Sequence, residues 1–368
     1  MEFLRAWLAA LLTGRADLQK FLHLLGAGGT GKGAFIRLAT ALVGQHNAQV
    51  TDLKNLEQNR FEAAALYGKR LAVISDTDKY GGSVNNLKAL TGQDHLCLER
   101  KNQQQNGTFV FDGLVLLASN EAIQTTDYTG ALERRRMTVL FDRIATDAER
   151  RLWDAQGGET MVLHREIPGL VNWCLALRRE DVTRIITQRP ARVIEADTNA
   201  LRASNPVAEW MMECTIPDPD HKAKIGDKRQ VQRDGRTTFD YAEEWLYPNY
   251  LTWCQRCGRE GLSLVRFSAL VIDVARILKA PVRKGKQGDL GRYLKGLRLR
   301  GDLENRYDWA ATRPTVTGLG RVKDAQPIEK DEGDGWDGFS PQTYLHTREE
   351  KFNDTPPGSV LDLDVLYF

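Results

Sequence analysis

Apolar and polar positions along the chain fall into two regimes. Residues 3–12 place Phe3, Leu4, Trp7, Leu8, Leu11 and Leu12 on one stripe at helical spacing, which predicts a helix packed on its own domain. From about 20 to 145, short unbroken apolar runs alternate with longer helical patterns. Phe21–Leu25, Leu71–Ile74, Leu114–Ala118 and Met137–Phe141 read as buried strands, and Ala34–Val43 and Val84–Leu90 read as helices. Strand and helix alternating in this way predict a parallel sheet with helices on both faces. Further along, residues 165–215 read as mostly helical. Pro217 to Thr238, rich in charge and carrying Pro and Gly, reads as a linker, and Tyr241 to Gly301 as a set of helical patterns ending in Gly-rich basic sequence. From about Asp324 acid, Gly and Pro dominate, which predicts a flexible tail.

Composition narrows the class. The 368 residues are 42% hydrophobic and 27% charged, as expected of a soluble globular protein with two or three domains. No uncharged apolar run approaches the roughly 20 residues that cross a bilayer, and no cleavage site follows the apolar stretch Ala6–Gly14, so neither membrane insertion nor a signal peptide is expected. Five cysteines without repeating spacing do not make a disulfide framework, and a cytoplasmic protein with reduced thiols is the expectation.

Charge changes the picture more. The net value of +2 names no partner. Residues 301–368, however, carry 14 acids and 7 bases, which leaves +9 on residues 1–300, and the stretch 262–300 alone carries +8. A basic segment followed by an acidic tail points to a polyanionic partner.

The first chemistry appears after the Phe21–Leu25 strand. Gly26-Ala27-Gly28-Gly29-Thr30-Gly31-Lys32-Gly33 followed by a helix is a Walker-type loop in strand–loop–helix context. Its glycines let successive N–H groups turn toward phosphate oxygens, the helix N-terminus favours the same anion, and Lys32 suits the β- and γ-phosphates. The hydroxyl residue that normally follows the lysine is replaced by Gly33, and Ala34 has no hydroxyl either, so magnesium would lean on water, phosphates and an acid elsewhere. Thr30 is a weak substitute.

The later strands supply the rest of a site. Leu71–Ile74 ends in Ser75-Asp76-Thr77-Asp78, where a carboxylate ordering Mg²⁺ and polarising water belongs; Asp76 is the first choice and Asp78 the second. Leu114–Ala118 ends in Ser119-Asn120, whose amide can hold the attacking water or the γ-phosphate. Arg134-Arg135-Arg136 precedes the last strand, and Arg135 or Arg136 is placed to stabilise phosphoryl charge from a neighbouring subunit.

Residues suited to nucleic acid lie elsewhere. Leu96–Arg100 and Thr108–Phe111 can pair as a hairpin with Lys101 to Gly107 at its tip, where Arg100 and Lys101 supply charge for phosphate; Lys88 on the preceding helix is a weaker candidate. In the basic segment, Phe267, Leu270, Val271, Val274 and Leu278 form a helical stripe. Arg283, Lys284, Lys286, Arg292, Lys295, Arg298 and Arg300 are expected to line a second helix and the entry to a wing. Cys254-Gln255-Arg256-Cys257 lacks a second tight pair and reads as part of a buried helix rather than a zinc site.

Taken together, the loop Gly26–Gly33, the acid Asp76, Thr91-Gly92-Gln93-Asp94 with its hairpin, Ala118-Ser119-Asn120-Glu121, and Arg135-Arg136 before Val139 and Phe141 resemble superfamily 3 helicases, specifically the helicase portion of the phage, plasmid and poxvirus primase–helicase family. The resemblance covers residues 3–145 and extends loosely from Tyr250 to Arg300, which looks like a winged-helix segment. It implies an AAA+-like ATPase core, ATP and Mg²⁺ as ligands, a hexameric ring, a channel-facing hairpin and ATP-driven movement along single-stranded DNA at a fork. The implied layout is an ATPase domain over 1–165, a helical segment and linker over 166–240, a winged-helix domain over 241–322 and an acidic tail over 323–368. Priming is not expected from this polypeptide, so any primase would be a separate partner. The alternative, motivated by Gly33 and Ala34, is a nucleotide-regulated DNA-binding or replication-initiation protein that does not unwind.

Overall fold

The apolar runs become strands buried on both faces. The computed structural model of the chain describes residues 1–75, 80–99, 107–125, 127–128, 130–233 and 235–312, all within one unit, Met1–Val316. In chain order the first half contains α1 (Glu2–Thr13), β1 (Phe21–Leu25), α2 (Lys32–Val43), β2 (Ala48–Thr51), α3 (Leu53–Gln58), β3 (Leu71–Ile74), α4 (Asn85–Gly92), β4 (His95–Cys97), β5 (Thr108–Val110), β6 (Leu114–Ser119), α5 (Ala131–Arg135) and β7 (Arg136–Leu140). Five strands form a parallel sheet in the order β2-β3-β6-β1-β7, and β4 pairs with β5 as a separate antiparallel hairpin.

Alternation along each strand divides the core. Leu22, Leu24, Leu71, Val73, Leu114, Leu116 and Met137 face one layer, whose helical side begins with Trp7 of α1 and Phe35 of α2. Phe21, Ala72, Ile74, Val115 and Leu117 face the other, with Leu53 and Leu56 of α3 and Leu87 and Leu90 of α4. Burial on both faces is why these strands read as continuous apolar runs rather than alternating ones. The architecture is α/β, a parallel sheet flanked by helices, consistent with a P-loop NTPase-like fold.

The second half continues with α6 (Asp147–Ala155), α7 (Gly158–Leu175), α8 (Arg179–Gln188), α9 (Ala191–Ser204), α10 (Pro206–Cys214), β8 (Thr215–Lys224), β9 (Gln230–Arg233), β10 (Arg236–Phe239), α11 (Leu246–Arg256), α12 (Leu264–Ile277), β11 (Arg283–Gln287) and β12 (Gly291–Leu299). Helices α7 and α8 pack back on α1, so they belong to the first layer, and α9 lies along β7. A separate core gathers Trp210, Tyr250 and Phe267, with ring centroids 4.7 Å apart for Tyr250 and Phe267 and 5.1 Å for Trp210 and Phe267.

Two expectations are corrected here. The stretch expected to be a linker contains strands: β8 pairs with β12 from Thr215 opposite Leu299 to Lys224 opposite Tyr293, and β9 pairs with β10. The basic residues Arg283, Lys284, Lys286, Arg292 and Lys295, expected to line a second helix, lie on the β11–β12 hairpin, with Arg283 opposite Lys295 and Lys286 opposite Arg292. Glycine decides against helix there. Gly285 sits so close to the Tyr293 ring that a Cβ would come 2.3 Å from it, and repeated glycines carry a helix penalty of about 1 kcal/mol each. The tail over 323–368 lies outside the described residues. Among the described residues no helix is long and apolar enough to cross a membrane.

Candidate nucleotide site and basic surfaces

Strand register puts the chemistry at one end of the sheet. Leu25, Ser119 and Leu140 stand side by side at the carboxyl ends of β1, β6 and β7, so the loop after β1 and Asn120 after β6 leave the sheet as neighbours. Phe141 N–H donates to Leu25 O at 2.8 Å, and the chain beside it leaves no room at Gly26, where a Cβ would come 2.0 Å from Phe141 O. Gly31, at φ +94°, turns the loop into α2 through a conformation that side-chain-bearing residues avoid. The loop Gly26, Ala27, Gly28, Gly29, Thr30 and Gly31 therefore precedes the N-terminus of a 12-residue helix, the arrangement that favours a phosphate.

Lys32 is the hub of this end. Its Nζ donates to Gly26 O at 2.6 Å, Ala27 O at 2.8 Å and Asn120 Oδ1 at 3.0 Å, and burial lowers its pKa from the usual lysine value. Lysine and amide are thus joined across two adjacent strands. Thr30 is buried and donates its hydroxyl to Ala27 O at 2.8 Å, so it is engaged within the loop. Gly33 lies on the first turn of α2, where a Cβ would come 3.2 Å from Arg37 Nη1. Arg37 in turn makes paired hydrogen bonds of 2.9 and 2.6 Å to Glu159 on α7. Asp76 and Asp78, the expected metal acid and its alternative, lie outside the described residues.

Behind Asn120 is a pair that sequence reading missed. His23, wholly buried on β1, meets Ser119 Oγ at 2.7 Å through Nε2, while Ser119 Oγ donates its only proton to Glu121 O at 2.6 Å. Nε2 therefore carries a proton, while Nδ1 is buried with no hydrogen-bond partner among the described residues to favour a second one. Burial, reinforced by the nearby Arg136 charge, holds the His23 pKa well below the ordinary histidine value. The available signal was a lone polar residue in the middle of the apolar run Phe21–Leu25.

The arginine triplet divides into three environments. Arg136, proposed from sequence as a residue acting on a neighbouring subunit, is fully buried at the start of β7 and paired with Glu133. That expectation is corrected: a guanidinium with no exposed surface cannot extend into another molecule. Arg135 is half-buried, donates to Ala131 O at 3.0 Å and lies against Gly92, where a Cβ would come 2.9 Å from its Nη2. Arg134 is the exposed member.

Of the expected nucleic-acid contacts, Lys88 also needs correction, because its Nζ is held by Asp127 at 2.6 Å in a mostly buried ion pair. Arg100 and Lys101 lie outside the described residues, although the paired bases of their hairpin, β4 and β5, are present. Arg283, Lys284, Lys286, Arg292 and Lys295 are all exposed. Arg298 is committed to Glu304 by two bonds of 2.6 and 2.7 Å, and Arg300 to the carbonyls of Glu213 and Glu304. Cys254 is buried beside the stacked Tyr250 and Trp253 rings, and Cys257 is exposed.

Residues 24–136 match the model of a family of unknown function, DUF5906. The uncharacterized mitochondrial protein ymf20 of Marchantia polymorpha is 31% identical over 117 residues, which are 32% of this chain and 70% of that protein. By the second match the chain belongs to one family with that mitochondrial protein. Among solved structures, the apo C-terminal region of NrS-1 is 15% identical and aligns over 80% of this chain and 70% of its own, with a TM-score of 0.40. JCV helicase is 14% identical over 56% of this chain and 63% of its own, with a TM-score of 0.29. Scores this low carry no functional weight.

Proposed function

We propose that the chain is an ATP hydrolase of the superfamily 3 helicase type, which uses ATP to move on single-stranded DNA during replication of a phage, plasmid or related element. The observation that carries this reading is Lys32 Nζ joining two loop carbonyls to Asn120 Oδ1 across β1 and β6, in a parallel sheet where β1, held between β6 and β7, feeds the glycine loop. Bound ATP supplies the phosphoryl group that passes to water. The loop amides and the α2 N-terminus hold its phosphates, Lys32 offsets their charge, and Asn120 orients the attacking water. Asp76 is assigned to Mg²⁺, with Asp78 as the alternative. Arg135 is the member of the triplet assigned to a neighbouring subunit in a homo-hexamer.

DNA is assigned to two surfaces. One is the tip of the β4–β5 hairpin, with Arg100 and Lys101. The other is the β11–β12 hairpin. Helices α10, α11 and α12 with the sheet β11-β12-β8 have the element order of a winged helix, whose wing would be the turn from Gln287 to Gly291. A separate primase is a partner this reading accommodates.

A second reading, a nucleotide-regulated DNA-binding protein without unwinding, is favoured by Gly33 and Ala34, which put no hydroxyl after the loop lysine where Mg²⁺ is normally met. ATPase and strand-displacement assays with and without single-stranded DNA, on wild type and Lys32→Ala, decide between them. DNA-stimulated turnover and displacement, both abolished in Lys32→Ala, support the helicase. ATP binding without either supports the second reading. Gly33→Ser then measures the missing hydroxyl: Arg37 is a flexible neighbour, so the variant should fold and raise Mg²⁺-dependent turnover several-fold.

A further inference from the structure

At the opposite end of β1 from the glycine loop, about 16 Å away along five residues of strand, lies a cavity of about 480 Å³. Four parts of the chain wall it: Lys20 just before β1, Glu133 and Arg134 on α5, the junction of α8 and α9 at Arg189, and the last turns of α12 with Asp273, Arg276 and Lys279. Each carboxylate near this wall already has a cation. Glu133 pairs with Arg136, Asp273 with Arg276 at 2.9 Å, and Asp197 of α9 with Arg189. Lys20, Arg134 and Lys279 converge from three elements, and among the described residues none has a carboxylate within 4.0 Å. Lys20 is held instead against a carbonyl, donating to Arg134 O at 2.6 Å, and Arg189 donates to the same oxygen at 3.0 Å.

We propose that this cavity is a binding site for a small anion carrying two or more phosphates, such as a nucleoside polyphosphate, separate from the Gly26–Lys32 loop. Its volume is that of a ligand pocket rather than of a single ion. An ammonium removed from water without a counter-charge is costly, and an anion between Lys20, Arg134 and Lys279 removes that cost. The protonation of Lys20 is the internal reporter. Burial first, then the charges of Arg189, Arg134 and Arg135, working against Asp197, bring its pKa down to about 8. An anion restores the charged form, so binding near pH 8 draws in a proton.

The test uses the full chain carrying Lys32→Ala, so that the loop lysine does not contribute, with inorganic tripolyphosphate and sulfate as probes. Calorimetry should show tripolyphosphate binding that Arg134→Gln or Lys279→Gln weakens severalfold and Lys20→Gln weakens about tenfold. Sulfate does not titrate in this range. Its binding near pH 8, compared in two buffers of different ionisation enthalpy, should take up about half a proton, and none near pH 6 or in Lys20→Gln. Arg134→Gln and Lys279→Gln alter exposed side chains and decide the matter if Lys20→Gln fails to fold. Tripolyphosphate binding that none of the three substitutions changes overturns the proposal. So does a site that binds an oligothymidylate but not tripolyphosphate, because the cations would then serve a DNA strand.

Discussion

At His23 hydrogen bonding fixes which ring nitrogen carries a proton, and burial fixes the charge. With the Ser119 proton spent on Glu121 O, Nε2 must donate, and burial keeps the unpartnered Nδ1 without a proton, so the imidazole is neutral. The sign of its pH effect follows. The unfolded chain takes up a proton near pH 6.5 and the folded chain does not until far lower, so stability falls as pH drops below about 6.5, by up to about 1.4 kcal/mol per pH unit. Thermal melts between pH 7 and 5 should show a steeper loss in wild type than in His23→Asn, which keeps a donor but cannot titrate. Equal slopes would mean that His23 is not the group responsible. Arg136 makes the complementary point. Removing it takes an ion-pair partner from Glu133, itself mostly buried, and empties a fully buried position at the start of β7, so Arg136→Ala should destabilise by about 3 kcal/mol in urea unfolding. An arginine acting on a neighbour would leave the midpoint unchanged and abolish turnover alone.

Among elements, the β11–β12 hairpin differs most from its expected form and keeps its expected surface. Five exposed cations lie on two paired strands, close enough to follow a phosphate backbone. Replacing Lys284, Lys286 or Arg292 by Gln should weaken single-stranded DNA binding alike across sequences and lower the salt slope by about one for each phosphate no longer neutralised. A salt titration with an unchanged slope would place the DNA elsewhere. The β4–β5 hairpin and the strands β1, β3, β6 and β7 were readable because each is a local apolar pattern with turn residues at its ends. Strand β8 was not. Its sequence, Thr215-Ile216-Pro217-Asp218-Pro219-Asp220, carries two prolines and two acids, and it becomes a strand by pairing with a partner some 80 residues away. Proline is tolerated at a sheet edge, and β8 is an edge strand.

Over the whole molecule, the net charge of +2 is the sum of a basic body and an acidic end, −7 over residues 301–368. We expect the acidic segment to compete with DNA for the basic hairpin. Deleting residues 324–368 should then raise DNA affinity and steepen its salt dependence. Unchanged affinity and slope would remove that role.

Several features were settled by sequence alone: the alternation of buried strand and helix, the glycine loop with its lysine, and the separation of charge. Each is local, written in the period of apolar residues or in the backbone freedom of glycine. Tertiary structure decided what depends on residues distant in the chain. It buried Arg136 at the start of β7 while leaving Arg134 at a cavity, paired Lys88 with Asp127, set His23 behind Asn120, and turned a basic stretch into a hairpin instead of a helix. Whether a charge is free or spent is a question of burial and partner, and neither can be read from its neighbours in sequence.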